Sequence, residues 1–113
     1  MTASVSSDRD GAAVTVHVSG EVDLSNGSLV QDAIDAALDA GGARAVRVDL
    51  SEVTFLDSSG ISLLLKGRRG ADERGLAYQV VGAQGVARLV LELSGVWEHL
   101  TGEDAGSGGD APE

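Results

Sequence analysis

The sequence contains no cysteine, which excludes a disulfide framework, a thiolate metal site and a cysteine nucleophile. Aromatic residues are scarce, at 3% of the chain, although hydrophobic residues together make up 42%. The core must therefore be built from Val, Leu, Ile and Ala. No apolar run approaches the ~20 residues needed to span a bilayer, and no secretory signal opens the chain. For 113 residues we expect one small cytoplasmic domain.

Basic residues are in the minority, and the formal net charge is −10. Four acids and no Lys or Arg lie in residues 101–113, so the rest of the chain carries −6 of that charge. A surface of this sign repels phosphate backbones, and we expect neither nucleic acid nor an anionic membrane as a partner. The charge is compatible both with simple solubility and with an electropositive protein partner.

Apolar residues of the first half follow the two periods of regular secondary structure. Three valines alternate with polar residues over 14–18, which is typical of a strand with one buried face. Turn-forming residues at 8–11 predict a hairpin between this strand and a shorter one at 3–7. A helical stripe of apolar residues predicts a helix at 28–40, which two glycines end.

The second half continues the alternation of strands and helices. The pattern predicts strands at 45–50 and 76–81, a helix opening with Ile61, and another at 84–93. In the last of these helices four residues are expected to face inward: Val86, Leu89, Val90 and Leu93. The short apolar segment 96–100 is interpreted as an edge strand.

This order of elements, a hairpin followed by helices and strands in alternation, predicts an α/β fold. We expect a mixed central sheet of about five strands with helices packed on it. Residues 102–113 are rich in Gly and acids, a composition typical of a disordered tail. The predicted organisation is one domain at 1–101 and an acidic, Gly-rich disordered tail at 102–113.

The segment FLDSSGISLLL, residues 55–65, places three small polar residues and a glycine between a strand and a helix. On residue types alone, the simplest interpretation is that Ser58 or Ser59 caps the helix, which typically stabilises it by ~1 kcal/mol. A helix N-terminus also favours negative charge, so a phosphate on Ser58 suits the same position. Both interpretations stay open at this point.

Catalytic interpretations of these serines find little support. A catalytic serine needs a base, and the chain has only His17, in a predicted strand, and His99, near its end. The glycine that a nucleophile elbow requires two residues before the serine is absent, and so is the GxxxxGK[ST] pattern of a P-loop. No His and acids are clustered at metal-binding spacing. We therefore expect no enzyme, no catalytic residue, no metal and no cofactor.

Three segments together resemble the STAS domain, and closely resemble the bacterial anti-sigma factor antagonists. They are DLSEVTFLDSSGISLLL at 49–65, SGEVDL at 19–24 and VARLVLELSGV at 86–96. The resemblance covers about residues 1–100 and implies the STAS fold, with helices mainly on one face of the sheet. The chain departs from the family where a fourth helix is usual, because a Gly-rich segment follows Leu100. Trp97 is expected to cover that gap.

The resemblance also implies a mechanism. In the family the first serine of DSSG, here Ser58, is phosphorylated by a partner that is both a kinase and an anti-sigma factor. The unmodified protein binds this partner and frees the sigma factor, and phosphorylation switches binding off. The implied partners are therefore an ATP-binding serine kinase and a serine phosphatase that restores the unmodified form.

The resemblance further implies a partner-binding surface around the phosphorylated serine. Its expected residues are Asp23, Leu24, Ser25, Asp57, Ser58, Ser59, Gly60 and Ile61. For the two aspartates a structural role is the alternative, since Asp57 suits a cap of the second helix and Asp23 a cap of the first.

A second hypothesis keeps the fold and changes the role. The chain would then be a STAS subunit of a membrane-transport or multiprotein signalling assembly, with a structural or ligand-sensing function. Ser58 favours the first hypothesis, because an acceptor serine has no use without a kinase, whereas a scaffold could have lost it.

Overall fold

The computed structural model describes residues 2–102. Within that range the strands are β1 (Ala3–Asp10), β2 (Ala13–Val22), β3 (Ala45–Leu56) and β4 (Ala77–Val81). The helices are α1 (Gly27–Leu38), α2 (Ser58–Glu73), α3 (Gly85–Leu93) and α4 (Trp97–Thr101). Of the predicted disordered tail, residues 103–113 lie outside the described part of the chain.

The four strands form one mixed sheet in the order β1-β2-β3-β4. The hairpin strands β1 and β2 are antiparallel, and β2, β3 and β4 run parallel to one another. Helices α1 and α2 make the crossovers between the parallel strands, as such connections require. The predicted α/β class and mixed sheet are confirmed, with four strands in the described residues where about five were expected.

One face of the sheet carries the core, because its strand residues alternate between buried and accessible. The buried strand side chains include Val16, Val18, Val48 and Val80. They belong to one apolar cluster with residues of the two crossover helices, including Val30, Ile34, Leu63 and Leu64. Strand residues of the opposite face, such as Thr15, Arg47 and Gln79, are half-buried or exposed.

Gly67 lies within α2, although glycine in a helix interior is less favourable than alanine. A Cβ at this position would lie 2.5 Å from the Tyr78 hydroxyl and 3.0 Å from Ile34 Cγ2. The same hydroxyl donates a hydrogen bond to the Leu64 carbonyl at 2.9 Å. The glycine thus lets α2 pack against β4 and α1 closely enough to satisfy the buried tyrosine.

The segment 96–100 is not the edge strand that was expected. It lies largely in α4, in which Trp97 and Leu100 are buried and the Thr101 hydroxyl donates to the Trp97 carbonyl at 2.7 Å. Residues three positions apart share one helical face, so a helix can bury both side chains against the rest of the fold. A short fourth helix therefore follows α3, and Trp97 belongs to the core.

The inward face predicted for α3 is wrong for three of its four residues; the fourth, Val90, is half-buried and packs against the core. The buried residues are Ala87 and Leu91, whereas Val86, Leu89 and Leu93 are exposed by 46, 53 and 79%. Ala87 and Leu91, four positions apart, share the helical face that packs on the core. Val86, Leu89 and Leu93 consequently face outward.

A histidine on the open face of the sheet links three strands. His17 of β2 places Nε2 2.7 Å from Asp8 Oδ2 of β1 and Nδ1 2.9 Å from Asp49 Oδ2 of β3. A neutral imidazole can donate through only one nitrogen, so both contacts are donated hydrogen bonds only when the ring is protonated. The hydrogen bond to Asp8, followed by that to Asp49, raises the pKa of His17.

We predict that His17 stabilises the protein more at about pH 5.5 than at about pH 8.5. Because the folded-state pKa is raised, the stabilisation is complete below the unfolded-state pKa and is lost as the pH rises through the folded-state pKa. Urea unfolding of wild type and His17→Gln at both pH values measures the difference. Repeating the pair in an Asp8→Asn background should reduce the pH dependence. An equal stability difference at both pH values would contradict the prediction.

Candidate functional site

The ends of β2 and β3 bring two short loops together. The strands are parallel, and their last residues, Val22 and Leu56, are paired. The loops that follow therefore start side by side at the carboxyl ends of the two strands. The Asp57 N–H donates a hydrogen bond to the Val22 carbonyl at 3.2 Å, which links the start of the second loop to the end of β2. Carboxyl ends of neighbouring parallel strands are where α/β folds commonly form binding sites.

Asp57 organises the second of these loops and the start of α2. Its Oδ1 accepts hydrogen bonds from the Ser59 N–H at 2.9 Å, the Ser59 hydroxyl at 2.5 Å and the Gly60 N–H at 3.2 Å. The hydrogen bond from the Ser59 hydroxyl, with those from backbone N–H groups, lowers the pKa of the Asp57 carboxyl. The N-cap of α2 is thus Asp57, rather than Ser58 or Ser59.

Asp23 builds a turn of the same kind after β2. Its Oδ1 accepts from the Ser25 N–H at 2.9 Å and from the Ser25 hydroxyl at 2.6 Å. Asp23 does not cap α1, which begins after Asn26. In both turns the aspartate carboxylate accepts hydrogen bonds from the serine two residues later, and the residue between the two forms the tip of the turn.

The residues at the two tips are Leu24 and Ser58, and both are exposed. Leu24 is 85% exposed, which is unusual for a large apolar side chain. The Leu24 N–H also contributes to the lowered pKa of Asp57, so this one carboxylate connects both turns. Within residues 2–102 the Ser58 hydroxyl has no hydrogen-bond partner, whereas the Ser59 hydroxyl is held by Asp57.

Asn26 supports the first turn and was not foreseen from the sequence. Its side-chain oxygen accepts from the Asp23 N–H at 3.0 Å, and its amide nitrogen donates to the Glu21 carbonyl at 2.7 Å. The repeated pattern Asp-x-Ser, at 23–25 and 57–59, is the sequence signal that could have revealed the paired turns.

The remaining two of the expected partner-binding residues lie deeper than the tips. Gly60 is buried, and a Cβ there would clash with the Leu56 side chain and lie 3.3 Å from Val22 Cγ1. Glycine is therefore needed for α2 to start this close to the strands. Ile61 is half-buried and packs against the core. Of the eight expected residues, the structure thus places Leu24, Ser25 and Ser58 at the surface.

The surroundings of Ser58 hold no catalytic base. His17 is hydrogen-bonded to two aspartates on the open face of the sheet. Residues 2–102 contain no group of three or more His, Asp or Glu side chains that could hold a metal ion. In the same residues no helix has the length and apolar character needed to cross a membrane. The site thus offers an exposed hydroxyl and an apolar tip, which suits recognition or modification by another protein.

Comparison with protein families gives one match, which spans most of the chain. The family model described as "Mlab, STAS domain" matches residues 5–102. No curated protein sequence matches the chain.

Solved structures with the same fold include several anti-sigma factor antagonists. One from Mycobacterium paratuberculosis is 25% identical, covers 88% of this chain and 83% of its own, and has a TM-score of 0.74. The antagonist SpoIIAA in its unphosphorylated form is 21% identical over 83% of this chain and 84% of its own, with a TM-score of 0.71. The phosphorylated form of SpoIIAA, a Bacillus cell fate determinant, is 21% identical over 83% of this chain and 87% of its own, with a TM-score of 0.65.

We predict that Asp57→Ala lowers the free energy of unfolding by about 1 kcal/mol, because the cap of α2 is lost. Asp57→Asn should lose less, since Asn is also a good N-cap. Asp23→Ala should lose less as well, because Asp23 closes a turn and caps no helix. Urea unfolding of the three variants gives the comparison. An Asp57→Ala variant as stable as wild type would show that the cap contributes nothing.

Proposed function

This chain belongs to the STAS domain family, and we propose that it is an anti-sigma factor antagonist controlled by phosphorylation of Ser58. The unmodified chain binds an anti-sigma factor that is also a serine kinase, and the sigma factor is thereby freed. The kinase transfers a phosphate to Ser58, which ends the complex. A serine phosphatase restores the first state, and the cycle takes place in the cytoplasm.

The observation that carries this proposal is the state of the Ser58 hydroxyl. It is exposed and free of hydrogen bonds within the described residues, yet its backbone is fixed by the Asp57 cap. A kinase needs an accessible acceptor, and an interface needs a fixed one. The neighbouring Ser59 is a poorer acceptor, because its hydroxyl donates to Asp57 at 2.5 Å.

The similar structures support the same role. The Mycobacterium paratuberculosis protein is an anti-sigma factor antagonist that is 25% identical to this chain over the aligned residues. SpoIIAA is an antagonist that exists in unphosphorylated and phosphorylated forms. The identity to SpoIIAA is low enough that this likeness indicates a common fold alone, and its phosphorylation is a precedent within that fold.

Electrostatics explain how a phosphate could release a partner while the fold stays intact. A phosphoserine carries about −1.5 to −2 charges. At Ser58 this charge lies at the N-terminus of α2, which stabilises anions by roughly 0.3–1 kcal/mol. The same charge stands beside the exposed Leu24, where an apolar partner surface would have to lose its water. The fold therefore tolerates the phosphate, and a closely packed interface does not.

A binding module fits the site better than an enzyme does, because no histidine contacts Ser58 and the free hydroxyl lacks a base. The alternative role, a subunit of a transport or multiprotein signalling assembly, requires neither a free acceptor nor a charge switch. In that role the substitution of Ser58 would leave the assembly unchanged.

We predict that Ser58→Ala binds its anti-sigma factor kinase at least as tightly as wild type. Ser58→Asp should bind about tenfold more weakly or worse, because one negative charge is desolvated in the interface. The measurement is a titration of each variant against a candidate kinase from the same organism with ADP present. Ser6→Asp, which adds the same charge at an exposed position of β1, is the control and should bind like wild type.

Circular dichroism checks that all three variants are folded. If Ser58→Asp bound as tightly as Ser58→Ala while both were folded, the charge-switch mechanism would be wrong for this protein.

A further inference from the structure

A groove of about 390 Å³ runs between α1 and α2 from the paired turns outward. We call it the α1–α2 groove. The side chains along its two walls are Leu24, Ser28 and Gln31 on one side and Ser59, Ser62 and Lys66 on the other. Its α2 wall extends from Ser59 to Lys66, seven residue steps that correspond to about 10 Å of helix.

The groove is continuous with the site around Ser58. Leu24 is at the tip of the first turn, and Ser59 donates to the carboxylate that organises the second. Both residues also line the groove. A protein that covers Ser58 closely enough to be repelled by its phosphate therefore also covers the entrance of the groove.

The charge of the groove differs from that of the rest of the molecule. The chain has 18 acidic and 8 basic residues, yet no acidic side chain lines this groove and its one charged lining residue is Lys66. Lys66 is exposed, and among residues 2–102 it forms no ion pair. Asp35 accepts a hydrogen bond from the lining residue Gln31 at 3.0 Å, on the α1 side.

The apolar character of the groove is concentrated at its inner end. Leu24 exposes 85% of its surface there, and the buried Leu63 also forms part of the lining. Serine hydroxyls occupy the middle, and Lys66 lies at the far end of the α2 wall. This order fits a short segment that carries an apolar side chain first and an anionic one about two helical turns later.

We propose that the α1–α2 groove receives a short segment of the anti-sigma factor kinase, with an apolar residue against Leu24 and a carboxylate at Lys66. The proposal rests on the proposed function, because it names the partner of the same site. Contact with Leu24 supplies apolar burial, and the ion pair with Lys66 fixes the register of the segment. Leu24 lies at the end of the groove next to the Ser58 site, so phosphorylation disturbs the apolar contact, while the ion pair at Lys66 selects the cognate kinase for the unphosphorylated chain.

The test is a titration of unphosphorylated protein against a candidate anti-sigma factor kinase from the same organism, with ADP present. Lys66→Glu should weaken binding at least about tenfold, because it opposes like charges in the interface. Ser62→Trp fills the groove from an exposed helical position and should weaken binding to a similar degree. Arg47→Glu makes the same charge change on the open face of the sheet and should bind like wild type. Circular dichroism confirms that each variant is folded.

The outcomes separate the two proposals. If wild type fails to bind the kinase, the proposed function and the groove are both wrong. If wild type binds and both groove variants bind equally well, only the groove proposal is overturned. If Arg47→Glu weakens binding as much as Lys66→Glu, the effect is one of overall charge, and the ion pair at Lys66 is rejected.

Discussion

The hydrogen bonds accepted by the Asp57 carboxylate determine most of what this site can do. By binding the Ser59 and Gly60 N–H groups, Asp57 takes the capping role that either serine could have filled. Ser58 is then left with a free hydroxyl in a fixed position, and Ser59 is held in place by its own bond to Asp57. A serine that is needed as a cap would be a poorer substrate, so the cap at Asp57 suits the proposed role of Ser58 as the acceptor.

The parallel pairing of β2 and β3 determines which residues lie next to the Asp57 turn. It sets the Asp23 turn beside the Asp57 turn, so an exposed leucine and an exposed serine share one surface. The two residues suit opposite requirements of a switch. In the proposed switch, Leu24 would provide apolar area for an interface, whereas Ser58 would be the residue that gains charge. Gly60 supports both, because a side chain there would push α2 away from the strands.

Much of this could be predicted from the sequence where the signal is local. The valine alternation of β2, the stripe of α1 and the position of Ser58 between a strand and a helix depend on neighbouring residues only. The rotation of α3 was missed, because Val86, Leu89 and Leu93 point outward while Ala87 and Leu91 face the core. The resemblance implied that residues 23–25 and 57–61 share one surface, but the hydrogen bonds that shape the two turns were not predicted. Their pairing depends on the register of β2 against β3, which joins residues more than thirty positions apart.

The central claim is that Ser58 is the phosphate acceptor because Asp57 leaves its hydroxyl free, and phosphate mapping tests it most directly. Wild type, Ser58→Ala and Ser59→Ala are incubated with a candidate anti-sigma factor kinase and Mg-ATP and then digested for mass spectrometry. The account predicts one phosphate on Ser58 in wild type and in Ser59→Ala, and none in Ser58→Ala. A phosphate on Ser59, or full modification of Ser58→Ala, would contradict it.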